Sequence, residues 1–188
     1  MAKKNLILGT VLALVLALTT PVCGDETNGA GWFKMEYGSV TLFVANDANL
    51  GKLFGNLRNF KADTDSTLAK DAGIRVQAEA LARRVDAIFN AVREASGFDV
   101  TITGHERVVV LKDYNALQAM FKKIYGREYP EGISFYCARM NTVFTTENAM
   151  SGKILAHEFT HMVVDLQAEL TLTMAENEEF AYKMETVF

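Results

Sequence analysis

The stretch ILAHEFTHMVVDL, Ile154 to Leu166, sets two histidines four residues apart, with a glutamate directly after the first. On an α-helix, residues four apart lie one above the other, so His157 and His161 aim their imidazoles at one point and Glu158 sits beside them. Leu155, Phe159, Met162 and Leu166 step along the opposite side and predict a face packed into a core. The chain holds 3 histidines in all, and two of them fall in this motif. In a chain of this length a random match to the pattern is expected well below about once in fifty sequences.

The donor set suits a catalytic zinc ion. Zinc takes nitrogen ligands at about 2.0–2.1 Å, keeps one position for water in catalytic sites, and lowers the pKa of that water to about 7. A carboxylate beside the water can remove its proton and later deliver it to a leaving amine. Glu158 is placed for that work, which leaves a third protein ligand to be found.

A metzincin would carry glycine three residues after the second histidine and a further histidine three beyond that. Val164 and Gln167 stand there instead. His105, the remaining histidine, lies far upstream beside a turn. The downstream carboxylates are Asp165, Glu169, Glu176, Glu178, Glu179 and Glu185. If the helix ends near Ala168 and a second one starts back at Thr173, His161 lies roughly 10 Å below the turn at about 1.5 Å per residue. A partner at that depth is Glu178 or Glu179; Glu176 is shallow and Glu185 too deep. Depth does not separate the two neighbours.

The pairing of HEFTH with ENEEFAY resembles the gluzincin branch of zinc metallopeptidases, over roughly the last fifty residues. In compact bacterial members a second helix often carries a Glu-Gly-hydrophobic-Ala pattern. Set against it, EEFA aligns Glu178 with the ligand glutamate, Ala181 with the alanine, and Glu179 with the usual glycine. The resemblance implies a zincin-like α+β domain with a small mixed sheet, an active-site helix and an antiparallel helix bearing the third ligand. It further implies one Zn²⁺ ion, Glu158 as catalytic base, and peptide or protein substrates. An edge strand pairing with the substrate is also implied, and Asn141, Thr142, Val143 and Phe144 occupy the corresponding place in order. Asp165 is a candidate to hydrogen-bond a ligand histidine, and Tyr182 to donate to an oxyanion. Tyr136 and His105 are further possible donors. A zinc-binding or scaffold domain without catalysis is the competing function, although an intact Glu158 has no use there.

The rest of the chain predicts how the sheet is built. SVTLFVA (Ser39–Ala45), DVTIT (99–103) and RVVVL (107–111) favour strands, and ISFYC with NTVFTT predicts a hairpin turning through Ala138–Met140. Leu50, Leu53, Phe54, Leu57 and Phe60 recur at helical spacing. Ile74, Ala78, Leu81, Val85, Ile88 and Val92 form one stripe of a long helix that Gly97 ends. Asp113 and Ser151 are placed to cap helices, the first with Leu117, Met120, Phe121 and Ile124 on its inner face.

Residues 1–24 carry Lys3 and Lys4, an apolar run from Leu6 to Leu18, and a Thr-Thr-Pro break, the layout of a secretory signal. That run is short of the roughly 20 residues that span a bilayer, so secretion or periplasmic export is expected without stable membrane insertion. A lipid-modified Cys23 competes with this reading, but Thr20, Pro21 and Val22 lack the leucine and small-residue pair it requires. Residues 25–37 are polar and glycine-bearing and predict a flexible leader, with a single domain over 38–188. A net charge of −4 with no basic block gives a polyanion nothing to grip, so no nucleic-acid partner is expected. The acidic AENEE run lacks the aspartates and glycine of a calcium loop. Cys137 is expected to be a buried small hydrophobe.

Overall fold

A computed structural model describes residues 31–57, 73–102, 106–129, 132–167 and 170–188. Within them the chain is mixed α+β, with a five-stranded sheet and five α-helices. The strands are β1 (Trp32–Tyr37), β2 (Val40–Ala45), β3 (Glu106–Leu111), β4 (Ser134–Cys137) and β5 (Thr142–Thr146). The helices are α1 (Leu50–Asn56), α2 (Ile74–Ser96), α3 (Tyr114–Tyr125), α4 (Gly152–Leu166) and α5 (Met174–Glu185). The order across the sheet is β1-β2-β3-β5-β4. The outer pairs β1–β2 and β4–β5 are antiparallel, while β2–β3 and β3–β5 are parallel.

Side-chain alternation along each strand divides the molecule into two cores. Val40, Leu42, Val44, Val108, Val110 and Val143 face the side covered by α1, α2 and α4. Phe43, Val109, Leu111, Phe135, Cys137 and Phe144 face α3, which contributes Leu117, Phe121 and Ile124. The stripe expected on α2 is buried except at its exposed start, Ile74. Leu155, Phe159 and Met162 of α4 are fully buried, and Phe159 meets Phe89 of α2 edge to face at 5.2 Å. The helix that carries the two histidines is thus anchored in the larger core by its apolar half.

Local chemistry ends the elements where the residues allow. Ser151 caps α4 by accepting from the Ile154 N–H, and Asp113 caps α3 by accepting from Ala116. Gly97, at φ 71°, closes α2 in the left-handed region where glycine has no Cβ penalty. At Gly38 (φ 54°), in the β1–β2 turn, a Cβ would meet the Asp86 carboxylate at 2.5 Å. That close approach lets Asp86 of α2 accept from the Ser39 N–H at 2.8 Å and fasten the hairpin to the helix.

Two sequence expectations are corrected. Residues 32–37, expected in the flexible leader, form β1 and pair with β2 from Trp32↔Ala45 to Tyr37↔Val40. Residues 99–102 of DVTIT form no strand, because β3 already has β2 on one side and β5 on the other. The signal and Cys23 lie outside the described residues, as do His105 and Glu169. No helix among the described residues is long and apolar enough to cross a membrane.

Candidate metal centre

The two helices α4 and α5 run antiparallel and bring three donor groups together. His157 Nε2 and His161 Nε2 lie 3.1 Å apart. Glu178 spans both, with Oε2 at 3.5 Å from His157 Nε2 and Oε1 at 3.6 Å from His161 Nε2. One ligand atom from each of the three residues lies within 4.8 Å of the other two. Ligands at about 2.05 Å around a tetrahedral ion are spaced about 3.3–3.4 Å apart, a separation comparable with those seen here.

The outer ring nitrogens are engaged as well. His157 Nδ1 lies 2.7 Å from Glu185 Oε1, and His161 Nδ1 lies 2.9 Å from Asn177 Oδ1. Both partners are acceptors, so each imidazole carries its proton on Nδ1 and turns a bare Nε2 inward. Two lone pairs and a carboxylate then converge, the donor set that could hold a metal ion. Among the described residues, this is the one group of His, Cys, Asp and Glu side chains close enough to hold a metal.

Glu158 faces the same place from a buried position, 5 % exposed. Ser134 of β4 donates its hydroxyl to Glu158 Oε1 at 2.5 Å. Burial pushes the Glu158 carboxyl above the usual carboxylate range, against the opposing pull of the Ser134 hydrogen bond and the two imidazoles. These side chains open on a groove of about 780 Å³ between β4, α4 and α5. Ile133, Ile154, Val164, Leu172 and Met174 supply apolar lining, and no lysine or arginine lines it among the described residues.

Of the two neighbours left open by depth, Glu178 joins the histidines, while Glu179 points to solvent and pairs with Lys183 at 2.6 Å. Asp165, expected behind a ligand histidine, instead accepts from the Tyr136 hydroxyl at 2.8 Å, because both outer ring nitrogens are already taken. Tyr182 lies edge-on to His157 at 5.0 Å between ring centroids and lines the groove, 60 % exposed. Asn141 to Phe144 do not provide an edge: β5 is flanked by β3 and β4, so its backbone is paired on both sides. The outer strand beside α4 is β4, whose Ser134 and Tyr136 line the groove.

Three contributors were not anticipated from sequence: Asn177, Ser134, and Glu185 as an orienting group rather than a ligand. Glu185 follows Glu178 by seven residues, two helical turns along the same face, and that spacing is the signal that could have found it. Asn177 and Ser134 have no comparable mark. No protein-family model, no curated protein and no solved structure matches the chain.

Proposed function

We propose that the chain is an exported zinc-dependent peptidase of gluzincin type with a zincin-like fold, in which His157, His161 and Glu178 hold one zinc ion. The observation that carries this reading is the buried Glu158 carboxylate opening on the same groove as the converging His157, His161 and Glu178 donors. A purely structural zinc site has no use for a base at that place.

Zinc, when bound, would supply a Lewis acid and an acidified water at neutral pH. Glu158 takes the proton from the attacking water and passes it to the amine that leaves the peptide bond. Glu185 and Asn177 keep both imidazoles in the tautomer that presents Nε2 inward. An extended peptide can lie along β4, where main-chain hydrogen bonds supply much of the grip. The 780 Å³ groove accepts a few residues of chain, with apolar side chains favoured by its lining.

The test is zinc stoichiometry by elemental analysis together with cleavage of a mixed peptide library. The expected result is one zinc per chain and library cleavage by the wild type. Glu158→Ala should keep the zinc and lose cleavage by on the order of 10²–10⁴-fold. Zinc bound without any cleavage by the wild type would support the scaffold alternative, and no stoichiometric metal would end both readings.

A further inference from the structure

Serine on an edge strand usually needs no explanation, but Ser134 is unusual in where both of its polar ends go. Its residue is buried, 8 % exposed, and its hydroxyl donates to Glu158 Oε1 at 2.5 Å. Its own carbonyl accepts from the Tyr129 hydroxyl, and Tyr129 stacks on Phe121 in the core on the far side of the sheet. Ser134 is therefore held at the backbone as well as at the side chain. On the next residue facing the same way, Tyr136, the hydroxyl reaches Asp165 at 2.8 Å, seven positions beyond Glu158 on α4. Two hydroxyls of β4 thus fasten the edge strand to one face of the metal-motif helix.

A glutamate carboxylate turns about its last single bond through a broad, roughly two-fold profile, so packing alone does not orient it. A base must present one lone pair to one point, and a turn of the carboxylate removes it. We propose that Ser134 is a positioning residue for Glu158: its hydroxyl fixes Oε1 and so aims Oε2 at the groove beside the two histidines. Ser134 acts through Glu158 and has no contact with the metal donors. Because β4 is also the strand that an extended substrate would pair with, the base and the substrate backbone share one reference frame. This inference rests on the peptidase reading for its kinetic consequence, though not for its geometry.

The experiment compares wild type, Ser134→Ala and Ser134→Thr, each loaded with zinc. Ser134→Ala should bind zinc with unchanged stoichiometry and affinity and keep its KM. Its kcat should fall by on the order of 10- to 100-fold, the scale of a lost hydrogen bond to a charged group. Ser134→Thr, which restores the hydroxyl on a residue suited to strands, should recover most of the rate. Crystal structures of the zinc-loaded forms supply a readout independent of turnover: the Glu158 carboxylate should adopt one orientation in wild type and turn or split in Ser134→Ala. An unchanged kcat in Ser134→Ala, a loss of zinc from it, or an unmoved carboxylate would each overturn the proposal. If the wild type cleaves no peptide, the peptidase reading fails by itself, and the carboxylate orientation still decides this one.

Discussion

His157 and His161 each have two ring nitrogens, and the group at the outer one fixes what the inner one can offer. Glu185 and Asn177 accept from Nδ1, so both Nε2 atoms keep their lone pairs on the side of Glu178. Replacing Glu185 or Asn177 by alanine should therefore weaken zinc binding about 10–100-fold, measured by competition with a chromophoric chelator. Glu178→Ala should weaken it further, because a ligand is lost outright. Glu179→Ala serves as the control, since its side chain is exposed and paired only with Lys183; zinc affinity should be unchanged and stability should move by no more than about 0.5 kcal/mol. At this scale the histidines and Glu158 were legible in the sequence because all three stand on one helix, where spacing dictates direction. Ser134 was not, since its partner is 24 positions away and only the packing of β4 on α4 brings them together.

Helix α5 contributes only Ala181 and Met184 to the buried set, yet it carries Glu178, Asn177 and Glu185. Its start is held locally by a capping box, in which Thr173 accepts from the Glu176 N–H and Glu176 accepts from the Thr173 N–H at 2.8 Å. Thr173→Ala should cost about 1 kcal/mol in urea unfolding of the metal-free chain. The two hydrogen bonds from Thr173 lower the Glu176 pKa below its ordinary value of 4.5. A lowered folded-state pKa means that this contribution is present above pH 4.5 and disappears as pH falls through the folded value. Unfolding followed against pH should show that acid step in wild type and a smaller one in Thr173→Ala, which loses the hydroxyl donor and keeps the backbone N–H. Element positions were largely readable: the caps Asp113, Ser151 and Thr173 and the stop at Gly97 are residues whose local chemistry acts without distant partners. The failures, β1 and DVTIT, concern pairing, which depends on what lies alongside.

In the whole molecule the site joins α4, anchored in the larger core, to α5, which buries only Ala181 and Met184. Zinc held in excess at about 100 times its Kd should add about 2.7 kcal/mol to stability, raising Tm by several degrees, and EDTA should reverse the shift. Calorimetry with and without chelator checks this. Charge sets a second expectation. Glu158, Asp165, Glu178 and Glu185 line the groove with no lysine or arginine among the described residues that line it. Peptides with glutamate beside the cut bond should be cleaved at least about tenfold more slowly than the same peptides with leucine there, read from kcat/KM on matched fluorogenic pairs.

The sequence by itself determined the helix that carries His157, Glu158 and His161, with its apolar and polar halves, and it narrowed the expected partner carboxylate to Glu178 or Glu179. Those follow from helical periodicity, which links residues a few positions apart. Tertiary structure decided which glutamate answers, what each outer ring nitrogen touches, and that β4 rather than β5 forms the free edge. The rotation of α5 about its axis and the order of strands in the sheet come from packing between distant segments. Neighbouring glutamates differ by about 100° around a helix, a turn that only the opposing surface of α4 can set.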